Sequence, residues 1–239
     1  MKFSLVVPTY NEEVCLKQNI EQVFLFLNKT FPDQDWEVVI AENGSSDSTK
    51  KIAEELTRDK PNLRMISNAT AGKGLAIRNA WDTSTADLLI FMDADLATDL
   101  KHLPELINAL DNHDLVIGTR RHSAARVVRS KKRTATSFLY NWLARQILGL
   151  SFSDLHCGFK GIRQEAWKKI SPHLLSNGFF IDTELLALAD KFNLAVFELP
   201  ITWKELRGQD DKSKVNIFKT GKNLIRNLLT LKKRLNMLE

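Results

Sequence analysis

The chain has 239 residues, 44% of them hydrophobic and 26% charged, with a formal net charge of +5. That length suits one large domain, or a domain with an appendage, with ample apolar material for a core. No window reaches the roughly 18 consecutive apolar residues that span a bilayer, so any membrane contact is expected to be peripheral, and two distant cysteines, Cys15 and Cys157, exclude a disulfide framework and fit a reducing compartment.

The first apolar run, residues 3–8, stops at Pro8 and lacks the longer core and small-residue cleavage site of a signal peptide. It reads as a first strand. Asn11 is expected to cap a helix opening with Glu12 and Glu13, whose charges suit the dipole. Leu16, Ile20, Val23, Phe24 and Leu27 then form one apolar face at helical spacing. A strand over residues 36–41 is followed by an Asn-Gly-Ser-Ser turn and a helix that Asp47 is expected to cap. The series continues with a strand near 63–67, a Gly-Lys-Gly turn at 72–74, a helix over 75–83, a strand over 87–92, a helix over 102–110 and a strand over 114–119.

Strands alternating with short helices imply right-handed βαβ units and a mostly parallel sheet covered on both faces. Ligands bind such sheets outside the carboxyl ends of the strands. The unusual polar residues all follow strands, at 9–12, 42–47 and 93–99, so they should converge on one edge.

Beyond Thr119 the pattern changes. Residues 115–153 contain no Asp or Glu but carry Arg120, Arg121, Arg126, Arg129, Lys131, Lys132, Arg133 and Arg145. Residues 212–238 form a second acid-free basic block. Each block fits an anionic partner or a solvated basic face. Few aromatics interleave the first block and no nucleic-acid module is recognisable, which argues against a nucleic-acid partner. A helix is expected around 135–148, followed by the Gly-flanked CGFKG at 157–161, a helix over 183–192 and a strand over 195–203; residues 208–214, GQDDKSK, read as a mobile polar loop.

The stretch FMDADLATD at 91–99 crowds three carboxylates at the end of an apolar strand. Like charges there need a positive partner. Asp93 and Asp95, at i and i+2, can share one hard divalent cation with diphosphate oxygens and water completing its shell. Asp99 reads as a cap for the next helix. Lys73, between Gly72 and Gly74, can approach a diphosphate closely, with Arg78 pointing to the same side one turn on.

Six short motifs occur in order: VVPTYNE at 6–12, ENGSSDST at 42–49, GKGLAIR at 72–78, MDADL at 92–96, DLHCGFKG at 154–161 and IDTELL at 181–186. Together they resemble the family 2 inverting glycosyltransferases, and the later ones look most like the branch that glycosylates polyprenyl phosphates, such as dolichyl-phosphate glucosyltransferases. The resemblance implies an α/β GT-A fold, a Rossmann-like, mostly parallel sheet flanked by helices. Residues 1–214 would form this domain and residues 215–239 a basic amphipathic C-terminal helix.

The same resemblance implies that a nucleotide-sugar donor lies against Pro8, Thr9, Tyr10, Glu12, Glu42, Asn43, Lys73, Asp93, Ala94 and Asp95. Asp95 would be a direct ligand of Mg²⁺ or Mn²⁺, with Asp93 nearer the ribose or a water of the metal. Arg120, Arg133 and Ser137 would hold the acceptor's phosphate, and guanidinium forks suit that task. Asp182 and Glu184 are candidates to position the acceptor or a basic side chain, or to cap the following helix. In relatives that glycosylate hydroxyls, an acid near them serves as base. The segment 154–161 would form the wall beneath the sugar. Two positions depart from the family pattern: Asn43 stands where a second acid is usual, and Ala97 where mannose synthase-like members can place a metal-binding Gln.

The expected activity is transfer of a hexose, glucose ahead of mannose, to a polyprenyl phosphate with inversion. The alternatives are a hydroxyl acceptor and a non-catalytic nucleotide-sugar-binding protein. The last helix places Ile217, Leu224, Leu228, Leu231 and Leu235 on one face. It suits an anionic membrane surface on the cytoplasmic side, at about 1 kcal/mol per nearby basic residue, and equally suits packing on the domain or on a second copy in a homodimer.

Overall fold

A computed structural model describes the backbone of residues 1–128, 130–205 and 217–238, with the side chains of these residues apart from 131–133 and 217–223. The GQDDKSK segment and Arg129 lie outside the described residues.

The elements run β1 (Phe3–Thr9), α1 (Leu16–Thr30), β2 (Trp36–Asn43), α2 (Thr49–Thr57), β3 (Leu63–Asn68), α3 (Lys73–Asp82), β4 (Leu88–Met92), α4 (His102–Ala109) and β5 (Leu115–Thr119). They continue with β6 (Arg126–Val128), α5 (Lys131–Leu148), β7 (Phe159–Arg163), α6 (Gln164–Ile170), α7 (Ile181–Lys191), β8 (Val196–Pro200), β9 (Thr202–Lys204) and α8 (Ile217–Leu235). A seven-stranded sheet has the order β3-β2-β1-β4-β7-β5-β8. Every pairing in it is parallel except those of β7, which runs antiparallel between β4 and β5.

The strand residues alternate between two cores, as a period of two requires. Val6, Val39, Leu89, Phe91 and Ile117 face one side, where Trp81 and Trp167 meet edge to face beneath α3 and α6. Leu5, Val7, Val38, Ile40, Ile90 and Val116 face the other, against Leu16, Ile20 and Val23 of α1 and Leu103 and Leu106 of α4. Burial on both faces explains why these strands read as continuous apolar runs. The sheet is thus the expected three-layer α/β arrangement. Helix α8 packs on α5 and α7, with Leu228 and Leu231 fully buried in the first core.

Two local features differ from the reading of the sequence. Helix α1 begins at Leu16, not after Asn11. Asn11 instead adopts φ +52° and accepts a hydrogen bond from the Ser46 backbone N–H at 2.8 Å, while Glu12 N–H donates to Thr49 Oγ1 at 2.8 Å. The 9–13 segment is therefore fastened to the 45–49 turn, a tertiary use of polar groups that would otherwise have capped the helix. The second is β7, a strand the sequence reading did not name within the 154–161 segment. Lys160 and Gly161 break the apolar alternation of a central strand, yet Lys160 is fully buried and Gly161 lies against α4.

A Cβ at Gly161 would stand 2.5 Å from Leu106 Cδ2 and 3.0 Å from Leu110 Cδ1. Gly161→Ala is expected to destabilise the fold by about 1–3 kcal/mol through overpacking, measured as a lower urea midpoint with unchanged slope.

Candidate functional site

The carboxyl ends of β1, β2 and β4 open on one edge of the sheet, at the switch between β1 and β4 where ligands of such folds bind. The amino end of β7 joins them, because Asp93 N–H donates to the Gly158 carbonyl at 3.0 Å. A cavity of about 880 Å³ occupies this edge. Of the residues expected to meet a donor, Pro8, Thr9, Tyr10 and Glu12 line it from β1 and its loop. Asn43, Lys73, Asp93, Ala94 and Asp95 line it as well, and Asp182 closes its floor.

A buried charge cluster organises the edge. Lys73 Nζ lies 3.0 Å from Asp93 Oδ1 and 3.1 Å from Asp182 Oδ2, and Lys160 Nζ lies 2.5 Å from Asp182 Oδ1. Lys160 also donates to the Cys157 carbonyl at 2.5 Å. Burial opposes ionisation of Asp182, but the Lys160 and Lys73 charges outweigh it and hold the carboxyl down at about 2. Burial likewise works against the Lys73 charge, and Asp182 and Asp93 reverse the balance, raising its pKa. The positive partner that FMDADLATD needs is therefore supplied within the chain.

The glycines around Lys73 serve packing rather than access. A Cβ at Gly72 or Gly74 would run into the Asn177 or Ser176 carbonyl, and Leu75 N–H donates to Asn177 O at 3.0 Å. Gly72 N–H donates to Asn43 Oδ1 at 2.6 Å, so Asn43 steers the turn that delivers Lys73. Arg78 points away and donates to the Leu174 carbonyl at 2.9 Å.

Asp95 occupies a tight turn in which Leu96 takes φ +50°, an unusual conformation for a bulky residue of the kind that recurs at functional sites. Asp95 Oδ1 accepts the Ala97 N–H at 3.1 Å. Strand β9 pins the loop's far end, with Lys204 N–H donating to Ala97 O at 2.8 Å and Asp99 N–H to Thr202 O at 3.1 Å. Asp99 accepts from Lys101 N–H at 3.0 Å, the helix-entry role expected of it. The donor set offers hard carboxylate oxygens from Asp95 and, partly engaged by Lys73, from Asp93. Among the described residues no cluster of three His, Cys, Asp or Glu could hold a metal alone. Two carboxylates with ligand oxygens completing the shell fit Mg²⁺ or Mn²⁺ on a nucleotide.

Several expected site residues lie elsewhere. Glu42 is buried behind the cavity and accepts from Ser45 N–H and Ser67 Oγ, each at 2.6 Å. Arg120 is clamped by Asp154, with Nε to Oδ2 2.7 Å and Nη2 to Oδ1 2.9 Å, and its guanidinium lies over Trp203. Burial disfavours the Asp154 charge, yet Arg120 holds its carboxyl far below the usual range. Ser137 receives Arg121 Nη2 at 3.5 Å rather than Arg120. Arg133 belongs to α5, but its side chain lies outside those described. Glu184 is fully buried, accepting from Leu175 and Ser176 N–H and pairing with Arg234 of α8 at 2.7 Å. It anchors the 174–176 segment and positions a basic side chain, Arg234, one of the roles the sequence allowed it.

Other residues not singled out in the sequence line the wall, among them His156 of the 154–161 segment expected beneath the sugar. Tyr140 of α5 and His156 line the cavity as a stacked pair, centroids 3.8 Å apart, and Arg234, Leu224 and Leu231 bring α8 to its rim. Burial lowers the His156 pKa to about 4 and raises that of the Cys157 thiol to about 12, so Cys157 is a packed thiol rather than a nucleophile.

The pattern of Glycosyl transferase family 2 matches residues 4–171. The chain is 32% identical over 207 residues to Glycosyltransferase AglD of Haloferax volcanii, covering 85% of this chain and 33% of that protein. It is 27% identical over 243 residues to the dolichyl-phosphate beta-glucosyltransferase of Dictyostelium discoideum, covering 96% and 73%. The chain thus spans about a third of AglD's length. Among solved structures, glucosyl-3-phosphoglycerate synthase from Mycobacterium tuberculosis in complex with UDP has a TM-score of 0.66 at 20% identity, covering 100% of this chain and 81% of that one. The same enzyme with Mn²⁺ and UDP-glucose gives 0.63 at 19% identity over 100% and 80% of the two chains. These likenesses establish the fold.

Gly158 packs directly on the Asp93 carboxylate, where a Cβ would collide with it. Gly158→Ala should displace Asp93 from Lys73 while the fold survives; a crystal structure of the variant would show the ion pair broken. A second outcome concerns pH. Because the folded His156 value of about 4 lies below the ordinary 6.5, the unfolded chain takes up the proton first. Stability should therefore fall as pH drops from about 6.5 to about 4. His156→Phe should flatten that part of the profile relative to the wild type in urea titrations.

Proposed function

The chain belongs to glycosyl transferase family 2, and from that premise we propose that it transfers glucose, with inversion, from a nucleoside diphosphate sugar to a polyprenyl phosphate. The relatives named as dolichyl-phosphate beta-glucosyltransferases support the sugar and the acceptor class. The observation that carries the reading is the state of Asp182. Near the place where relatives acting on hydroxyls have an acid that serves as base, its carboxyl is locked between Lys73 and Lys160 and held at about 2. A carboxylate so stabilised is a poor proton acceptor at neutral pH. A phosphate monoester needs none, since its second pKa near 6 leaves it substantially dianionic.

In this mechanism a phosphate oxygen of the acceptor attacks the anomeric carbon from the face opposite the nucleotide. The new C–O bond forms as the bond to the diphosphate breaks, and the nucleoside diphosphate carries the electron pair away. Thr9, Tyr10 and Asn43 border the nucleoside end of the cavity. Lys73 orients Asp93 and Asp182 at its centre. The two lysines and two aspartates of the cluster balance in charge, so Lys73 brings little net positive charge to a diphosphate. A divalent cation held by Asp95, with Asp93 beside it, would supply that charge to the departing group. The acceptor phosphate is assigned to Arg120, Arg133 and Ser137; Arg121 Nη2 reaches Ser137 Oγ at 3.5 Å, and Arg120 would bring its Asp154 partner with it.

A polyprenyl acceptor implies work at a membrane surface, here assigned to the cytoplasmic face. Among the described residues no helix is long and apolar enough to cross a membrane. Helix α5 exposes Phe138, Leu139 and Trp142, following β6 with exposed Val127 and Val128, all within the acid-free basic block. Aromatic and basic residues on one exposed face suit an interfacial anchor. Ile225 and Leu229 of α8 are exposed as well, on the flank of its packed leucines.

The test is incubation of the protein and Mg²⁺ or Mn²⁺ with labelled UDP-glucose or GDP-mannose and a polyprenyl phosphate, scored by lipid extraction. Labelled glucolipid is expected, and Asp95→Ala should lower its rate at least about a hundredfold. Absence of lipid product from every donor, or undiminished turnover in Asp95→Ala at saturating metal, would overturn the proposal.

A further inference from the structure

His156 belongs to the cavity wall but takes no part in the charge cluster or the loop clamps. It lies half-buried just before Gly158, the residue that packs on Asp93. Its ring lies nearly parallel to that of Tyr140, at 28°, with centroids 3.8 Å apart. Tyr140 is fixed in turn by a 2.5 Å hydrogen bond between its hydroxyl and Thr183 Oγ1, next to Asp182. The imidazole is thus held in one orientation by rigid neighbours. Neither ring nitrogen has a hydrogen-bond partner among the described residues. An oriented polar ring in the wall of a cavity, with no partner for either nitrogen among the described residues, has a donor and an acceptor to offer a ligand.

The surroundings indicate the kind of ligand. The charged groups that act on His156 are Asp182 on α7, Lys160 on β7, Asp154 in its own segment and Arg120 after β5. They are already paired with one another, Asp182 to Lys160 and Asp154 to Arg120. The ring is therefore no ion-pair partner of these groups. Near neutral pH it is uncharged, with burial holding its pKa at about 4. It then offers one N–H donor and one lone-pair acceptor. Vicinal sugar hydroxyls, each both donor and acceptor, complement both nitrogens; a diphosphate, which only accepts, would meet the N–H and leave the lone pair unused. We infer that His156 hydrogen-bonds the hydroxyls of the transferred hexose and helps to set which sugar the cavity accepts. This rests on the nucleotide-sugar reading above. The residue is a specificity determinant, since no bond forms or breaks at it.

The experiment compares calorimetric binding of UDP and of UDP-glucose, both with Mg²⁺, to the wild type, His156→Phe and His156→Gln. The phenylalanine keeps the stack on Tyr140 and removes both nitrogens; the glutamine restores a donor and an acceptor. His156→Phe should weaken UDP-glucose about tenfold or more while UDP stays within about twofold, and His156→Gln should recover most of the loss. In transfer assays the preference for UDP-glucose over UDP-galactose should shrink in His156→Phe. Equal weakening of UDP and UDP-glucose, no weakening of either, or a raised KM for the lipid acceptor alone would overturn the inference. Thermal unfolding of His156→Phe above assay temperature excludes a folding defect. If the wild type makes no glucolipid but its extra affinity for UDP-glucose depends on His156, the proposed acceptor falls and the sugar contact stands. If glucolipid forms but His156→Phe keeps the wild-type UDP-glucose to UDP ratio, the sugar contact falls and the function stands. Binding of neither nucleotide by the wild type sinks both.

Discussion

The arrangement of the whole sheet edge depends on one buried electrostatic unit, the chain of contacts Asp93–Lys73–Asp182–Lys160. Each member comes from a different part of the fold: the end of β4, the start of α3, the start of α7 and the middle of β7. A lone buried charge costs several kcal/mol, whereas a paired set of two lysines and two aspartates is tolerable when geometry and hydrogen bonds are good. None of the four can therefore move without stranding another. This is a statement about specificity more than stability, since an apolar replacement of the entire set could be as stable. What the charges secure is the relative position of the side chains that four separate segments bring to one edge.

From that unit the asymmetry of the two carboxylates follows. Asp93 is drawn back by Lys73 and backed by Gly158, while Asp95 is turned by the left-handed Leu96 and pinned by Ala97 N–H and strand β9. Like charges two residues apart are separated by giving one a fixed internal partner and the other a place on the cavity wall. The strain at Leu96 is thus local and held from both sides, by Asn19 donating to Ala94 O at 2.7 Å and by Lys204 donating to Ala97 O at 2.8 Å. A rigid loop of this kind suits a site that must hold charge in one geometry.

What was legible in the sequence, and what was not, divides along the range of the interactions. Alternation of strands and helices, the convergence of residues 9–12, 43 and 93–95, and the membership of a known family could be read from periodicity and from short motifs. Strand β7 could not, because Lys160 and Gly161 look like loop residues until a partner for the lysine is known, and that partner is 22 residues away at Asp182. The clamp on Arg120 could not be read either, because Asp154 lies 34 residues on, just past the acid-free block. Asp182 and Glu184 read alike in the sequence, as candidates to position the acceptor or a basic side chain. Two positions along a helix differ by about 200° in direction, however, so one carboxylate meets the cavity and the other meets Arg234 and the 174–176 segment.

Helix α8 shows how much such distant pairings shape a site. By composition it is a basic amphipathic segment with apolar residues enough for a membrane, a partner or its own domain. Leu228 and Leu231 commit one face to the core formed with α5 and α7, and Arg234 ties the helix to Glu184 and to the His173 carbonyl. Glu184 in turn holds the segment whose Ser176 and Asn177 carbonyls lie against Gly72 and Gly74. A continuous path of contacts therefore runs from the last helix, through a buried carboxylate and one loop, to the turn that presents Lys73 to Asp93. Movement of α8 would be felt at the charge cluster without any residue of α8 touching it. The segment that reads as an appendage along the chain is mechanically part of the wall that a ligand would meet.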